Sequence, residues 1–424
     1  MGSNNKFSIV SLGCFRNTYD SEIVAQRFED RGYKFVPLWK KEASVSKKAP
    51  LDILIVNTCG FIDKAKKESI DIIREAIDYK KEKKTRNLYV FGCLVQRYKK
   101  QLARAFPEVD QWWGVEQLNA SNSVHRDISP SWSYFLKICE GCLNRCSYCA
   151  IPLIKGGLRS KPVKDILTEV RMADKNGTKE LNIIGQDITS WGKDFRPQKN
   201  LTGLLENILK ETSNIKWVRL IYTHPRHITD SLIELIATNK KVCKYIDLPI
   251  QHINDRLLKK MNRKVTKSQI KRLIKKIRKI MPSSVIRSSV ITGFPGETED
   301  DFRELLDFLK EVKFDKLGVF TYSREENTPA YNFGSQVHHQ TKKRRFSRIM
   351  ELQQKISAES LIKFLGKDLQ VLIEERKEDI FIGRSEYDAP EVDGLVFLRK
   401  KGLRPGDFYR AKVVGAYDYD LLAE

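Results

Sequence analysis

No run of about 18 apolar residues occurs anywhere in the chain, so no segment has the composition of a membrane-spanning helix. The opening MGSNNKFSIVSLG has no charged start followed by an apolar stretch and a small-residue cleavage site, and a soluble, cytoplasmic protein is expected. Internal repeats and low-complexity segments are missing too, which leaves ordinary globular domains. Cysteine is scarce, at eight residues in 424. In a reducing compartment, clustered thiols are more often metal ligands or redox groups than disulfides. The length exceeds what one hydrophobic core usually serves, so two or three domains are expected.

Acidic residues are also unevenly missing. The formal charge is +23 with a pI near 9.5, which points to a polyanionic neighbour or to a lysine-rich proteome. Residues 259–279 hold eleven Lys or Arg and no acid, while Ile270, Leu273, Ile274 and Ile277 recur at helical spacing. That pattern fits a solvated amphipathic helix or an RNA-facing one. Residues 364–424 reverse the balance, with 10 basic against 13 acidic residues and a net charge of −3.

What is present begins with three β-branched runs, FSIVSLGC, LDILIVNTC and NLYVFGC, ending at Cys14, Cys59 and Cys93. Helical segments lie between them, so an N-terminal parallel α/β sheet domain is expected, with all three thiols on one rim. Three buried thiols acting as small apolar residues are the plainer reading. The stretch EQLNASNSVHRDISPSWS reads as a linker. Six further strand-helix units follow, from SYFLKIC to KLGVFTYS, and imply a partial (β/α)6 barrel whose ligands sit just beyond the strands. Short apolar stretches after Gly366 imply a small antiparallel β-barrel. The expected division is 1–120, 132–362 and 363–424.

The stretch CEGCLNRCSYC contains four of the eight cysteines. Cys142, Cys146 and Cys149 form C-x3-C-x2-C, and three thiolates on one tight loop can bind three irons of a 4Fe-4S cluster, leaving the fourth iron open. Zinc is the rival, since Cys139 supplies a fourth thiolate. A zinc site usually wants a second pair at a distance, and Cys243 has no partner spaced beside it. On the iron reading, Cys139 and Cys243 are buried thiols standing in for small apolar residues.

CLNRCSYC resembles the signature of radical S-adenosylmethionine (SAM) enzymes, and SLGCFRN, NTCGFI and FGCLVQRY resemble the second-cluster motifs of the methylthiotransferase family among them. The resemblance covers essentially the whole chain and implies a multidomain α/β protein. Its parts would be a cluster-binding N-terminal domain, a radical SAM barrel and a C-terminal TRAM barrel. It implies two 4Fe-4S clusters, one on Cys142, Cys146 and Cys149 and the other on Cys14, Cys59 and Cys93, with SAM on the open iron of the first. Tyr148 is then expected near the adenine and Gln186 near the methionyl group. Arg287, Ser289 and Gly293, within the glycine-bearing stretch ITGFPGE, are expected in another wall. A strand-capping polar residue or a turn glycine is the alternative for each. His224 and His252 are candidate proton carriers or ordinary satisfied histidines.

Two branches of the family compete. One modifies an adenosine of tRNA; the other modifies the β-carbon of an aspartate of small-subunit ribosomal protein S-twelve. NTCGFIDKAKKESI, YIDLPIQHIND and GRSEYDAPEVDG resemble the ribosomal-protein branch. The acidic tail agrees, since negative charge suits a basic ribosomal protein better than RNA. The implied partners are ribosomal protein S-twelve, free or within its subunit, an electron donor and ribosomal RNA, with no membrane. A zinc-containing RNA-binding protein without catalysis remains as a different class of reading.

Overall fold

The computed structural model describes residues 5–38, 50–118, 128–400 and 402–424. The expected boundary at 120 and half of the expected linker, residues 119–127, lie outside them. The N-terminal domain is a five-stranded parallel sheet in the order β2-β1-β3-β4-β5. Its strands are β1 (Lys6–Ser11), β2 (Lys34–Phe35), β3 (Leu51–Thr58), β4 (Thr85–Gly92) and β5 (Gln111–Trp113). Helices α1 (Phe15–Glu29), α2 (Asp63–Lys81) and α3 (Cys93–Ala105) connect them. The β-branched run of β3 is buried almost throughout, as a strand covered on both faces requires.

The central domain carries β6 (Ser133–Lys137), a hairpin of β7 (Cys139–Glu140) and β8 (Arg159–Ser160), then β9 (Glu180–Ile184), β10 (Trp217–Leu220), β11 (Tyr245–Asp247), β12 (Val285–Thr292) and β13 (Lys316–Thr321). Parallel pairing joins β6, β9 and β10 in one sheet and β11, β12 and β13 in another, and a Val218–Val242 bridge links the two. The result is the expected partial barrel of six parallel strands. SYFLKIC is the one run that breaks: Cys139 leaves β6 to pair with Ser160.

Around the barrel lie α4 (Ile151–Lys155), α5 (Val163–Lys175), α6 (Leu201–Glu211), α7 (Asp230–Thr238), α8 (Asp255–Lys260), α9 (Lys267–Ile280), α10 (Glu299–Val312) and α11 (His339–Ile362). The basic α9 starts with a Thr266/Gln269 capping box and buries Ile270, Ile274 and Ile277. Several of its cations are neutralised by neighbouring helices, through Lys267–Glu304, Lys271–Glu311, Lys276–Asp230 and Arg278–Asp315.

The tail forms a closed barrel of β14 (Asp368–Lys377), β15 (Ile380–Ser385), β16 (Val396–Leu398), β17 (Phe408–Ala416) and β18 (Leu421–Ala423). It is antiparallel except for one parallel pair, β16 with β18, that completes the closure. Two junctions fix the domains to one another. On the N-terminal side Phe15 stacks on Phe135 at 4.7 Å, and Asp20 receives both Lys137 (2.5 Å) and Lys155 (2.9 Å). On the C-terminal side Glu180 receives Arg219 (3.0 Å) and Arg384 (2.6 Å), all three fully buried. Two acids of GRSEYDAPEVDG also turn inward, Asp388 to Lys316 and Asp393 to Arg287, and are not free for docking.

Candidate active site

The strand ends of the central barrel enclose a cavity of about 380 Å³. Arg16 and Phe61 reach it from the N-terminal domain and Val392 from the C-terminal barrel, so all three domains contribute to its wall.

Cys142, Cys146 and Cys149 line the cavity on the loop between β7 and α4. Gly141 starts that loop at φ +69°, and a Cβ there would collide with the Gly157 carbonyl, so only glycine fits. The Asn144 backbone N–H donates to Cys142 Sγ at 3.3 Å, and Arg263 Nη1 donates to Cys146 Sγ at 3.6 Å. Burial pushes the Cys142 thiol up to about 11 and the Cys149 thiol up to about 12. Cys139 sits apart in the hydrophobic core, its Sγ donating to the Asp187 carbonyl at 3.8 Å.

The other three thiols converge because β1, β3 and β4 are neighbours in one parallel sheet. Cys14 caps α1, Cys59 follows β3 and Cys93 opens α3. Asn17 sits among them: its Nδ2 donates to Leu12 O at 2.7 Å and Thr58 O at 3.3 Å, and its Oδ1 accepts from Cys93 Sγ at 3.7 Å. A Cβ on Gly13 would stand 2.9 Å from Cys59 Cβ, so the two loops touch. Arg16 Nε donates to Cys14 Sγ at 3.3 Å. Burial pushes Cys59 up and Cys93 to about 12; at Cys14 burial acts the same way, but Arg16 outweighs it and holds that thiol below its ordinary value.

All eight cysteines are free. Among the described residues no three His, Cys, Asp or Glu side chains stand close enough to hold a single metal ion. A cubane cluster takes one thiolate per iron and so spaces its ligands across its own breadth. Two converging triples, each with a guanidinium N–H on one sulfur, suit that group in donor chemistry.

Of the residues expected to hold SAM, Tyr148, Gln186, Arg287 and Ser289 line the cavity. Gln186 Nε2 donates to Glu140 Oε1 at 2.9 Å, while its buried Oε1 has no partner. Arg287 is neutralised by Asp247 at 3.3 Å and Asp393 at 3.4 Å. Gly293 is not brought to the cavity wall: at φ +71° it donates to the Glu297 carboxylate, and a Cβ there would run into Lys342. Its turn and that close approach account for the glycine. His224 lines the cavity, and its Nδ1 accepts from the Arg226 N–H at 3.2 Å, so the neutral ring carries its proton on Nε2. Burial, helped by Arg263, pushes its pKa down to about 2. His252 is a satisfied core histidine between the Asn254 N–H at 3.0 Å and Glu297 at 3.4 Å.

The family models for the Radical SAM superfamily, Uncharacterized protein family UPF0004 and the TRAM domain match residues 136–309, 6–114 and 365–424. The chain is 42% identical to "Ribosomal protein uS12 methylthiotransferase RimO" of Desulforamulus reducens, covering 98% of each chain. It is 43% identical to the protein of that name from Alkaliphilus oremlandii, covering 98% of each, and 40% identical to the one from Geobacter sulfurreducens, covering 100% of this chain and 99% of that one. The chain belongs to the RimO family. Among solved structures, the radical SAM methyltransferase TsrM from Kitasatospora setae aligns with TM-score 0.55 at 13% identity, over 78% of this chain and 77% of its own, which shows the shared fold alone.

Within this RimO-family cavity the sequence did not single out Arg16, Asp187 or Tyr222. Asp187 accepts from Asn144 Nδ2 (2.7 Å), Ser190 Oγ (2.6 Å) and His227 Nδ1 (2.9 Å), tying the cysteine loop to two barrel strands. Tyr222 and Gln251 both line the cavity at positive φ, +67° and +72°. Such backbone is costly for a bulky residue and collects at working sites. Arg16 had a signal, standing two residues from Cys14; Tyr222 had none, because backbone conformation after a strand is not written in residue type.

Proposed function

We propose that this chain is a radical SAM methylthiotransferase that places a methylthio group on the β-carbon of an aspartate of small-subunit ribosomal protein S-twelve. The observation that carries the reading is a single cavity with one cysteine triple in its wall and a second triple one side chain away, across Arg16. In this reading Cys142, Cys146 and Cys149 hold one 4Fe-4S cluster, and Cys14, Cys59 and Cys93 hold another. SAM lies against Tyr148, Gln186 and Ser289. When bound, these groups supply a hydrogen-abstracting radical, a sulfur atom and a methyl group.

The chain's own residues hold and orient. Asn144 and Arg263 donate N–H groups to the sulfurs of Cys142 and Cys146, which orients those sulfurs and would tune the potential of a cluster held on them. The neutral His224 offers a fixed Nε2–H to an oxygen in the cavity, and the unpartnered Gln186 Oε1 offers an acceptor. Walls drawn from three domains exclude water while the acceptor carbon is reactive. The partner is a basic protein, met by those acids of the tail that stay exposed, and ribosomal RNA is met by those cations of α9 with no acidic neighbour among the described residues. An electron donor completes the cycle.

The test is anaerobic reconstitution with iron and sulfide, followed by mass spectrometry of ribosomal protein S-twelve and of tRNA incubated with the enzyme and SAM. The aspartate should gain a methylthio group. Modification of a tRNA adenosine instead would move the chain to the other branch of the family.

A further inference from the structure

Three guanidinium groups line the cavity, and they differ in what neutralises them. Arg287 is paired with Asp247 and Asp393. Arg263 is turned to Cys146 Sγ and the Pro249 carbonyl, on the side of the first cysteine triple. Arg16 stands on the opposite side, beside the second triple. Its Nε faces Cys14 Sγ at 3.3 Å, its Nη1 faces the Gly185 carbonyl at 3.3 Å, and its plane lies 4.5 Å from the Tyr222 ring. Among the described residues no carboxylate reaches it and its Nη2 has no acceptor. The cavity's acids are engaged elsewhere: Asp187 with His227, Asp247 with Arg287, and Glu325 with Lys66 and Arg97.

A guanidinium presents five donors in a rigid plane, and here contacts on two sides and a ring against its face leave an edge with its direction fixed. The Tyr222 ring is itself held by a backbone at φ +67°, whose N–H donates to Asp247 at 2.9 Å, so the platform does not yield. An aspartate whose β-carbon receives sulfur must bring that carbon to the second triple. Its carboxylate, one bond away, then arrives beside the cation with no carboxylate partner. We infer that Arg16 binds the side-chain carboxylate of the target aspartate through its free edge, and that this pairing rejects an uncharged acceptor in the same position. The inference rests on the proposed function and adds to it the residue that reads the substrate's charge.

The test measures equilibrium binding of reconstituted holoenzyme to purified ribosomal protein S-twelve and to the same protein with its target Asp→Asn. The unaltered enzyme should bind the Asn form roughly ten- to hundredfold more weakly, the usual weight of a charge-assisted hydrogen bond. Arg16→Gln should bind both forms alike and raise KM more than it lowers kcat, whereas Arg16→Lys should keep the preference at reduced size. Equal binding of the two forms by the unaltered enzyme overturns the inference, and so does undiminished discrimination by Arg16→Gln. Should Arg16→Gln lose iron, the unaltered enzyme and Arg16→Lys still decide. Methylthiolation of S-twelve without an Asp-over-Asn preference sinks the role of Arg16 alone; no methylthiolation of S-twelve sinks the function on which it rests.

Discussion

The two cysteine triples are built in opposite ways. Cys142, Cys146 and Cys149 lie on one loop, whose shape is set by Gly141 and a few local hydrogen bonds. Cys14, Cys59 and Cys93 come from the ends of three strands, and only the register of β1 with β3 and of β3 with β4 brings them together. A local site is specified by spacing and tolerates change elsewhere. A distributed site exists only once its sheet has formed, and it is exposed to any slip in strand register. Both nevertheless end with an arginine donating to one sulfur, Arg263 in the first and Arg16 in the second.

The sharpest way to separate them is to remove ligands. Alanine at Cys142, Cys146 or Cys149 should abolish cleavage of SAM to 5′-deoxyadenosine, whereas alanine at Cys14, Cys59 or Cys93 should abolish methylthio transfer while cleavage continues. Anaerobic iron analysis should give about eight irons for the intact protein and about four after loss of either triple. Normal product from Cys59→Ala enzyme that has lost its second set of irons would break the division of labour.

That asymmetry also explains what could be read from residues alone. The local triple was legible because its spacing is its geometry. The distributed triple was legible only through a rule of parallel sheets, that strand ends share a rim, and the neighbouring strands of the sheet bear the rule out. Arg16 and Asp187 were passed over for a different reason: Arg16 stands close to Cys14 in sequence, but the contacts that give both residues their importance cross domain boundaries or run between loops, such as Arg16 to the Gly185 carbonyl, and sequence distance hides those. Gly293 misled because a glycine demanded by a turn and a crowding lysine looks the same in sequence as one demanded by a ligand. Net charge likewise hid that two of the tail's acids, Asp388 and Asp393, face inward.

The barrel that carries the local triple is also tied to the C-terminal barrel, through one buried acid. Among the described residues Glu180 is the sole carboxylate that binds Arg219, and it also binds Arg384 at the C-terminal junction. Glu180→Gln, leaving Arg219 without a counter-charge, should destabilise the protein by about 3–5 kcal/mol, seen as a lower melting temperature. Burial alone would raise the Glu180 carboxyl, but Arg384 and Arg219 hold it at about 2 against an ordinary 4.5. Because the folded value is the lower one, this contribution is complete above pH 4.5 and is lost as pH falls toward 2. The Gln variant should therefore melt with a flatter pH dependence across that acid window. An unchanged slope would show that other carboxylates govern acid stability.

A smaller perturbation tests whether each triple has its own backbone support. Gly141→Ala should disturb the first, and Gly92→Ala, at φ +112° with Asn57 and Thr58 in the way, should disturb the second. Each should cost about 1–3 kcal/mol by overpacking and strain. Each should lower iron at its own triple and spare the other. Equal loss at both sites from either change would mean the two sites assemble as one unit, against the contrast drawn above.

The smallest effects should come from the two cysteines outside the triples, and for that reason they test the ligand assignment most cleanly. Cys139 lies only three residues before Cys142 and would be the natural fourth ligand of a zinc site. Its thiol is instead 2% exposed, pushed up in pKa by burial, and packed so close to Gly185 that a Cβ there would stand 2.6 Å from its Sγ. Cys243 is equally buried, against the C-terminal barrel. A protonated thiol in such a place behaves as a small apolar group, and trimming it to a methyl should cost about 1 kcal/mol or less. Cys139→Ala and Cys243→Ala should each keep full iron and full SAM cleavage, with a slight fall in melting temperature. Should Cys139→Ala lose half the iron, Cys139 would be a ligand, and the local triple would have been misread at the one place where sequence spacing allowed two choices.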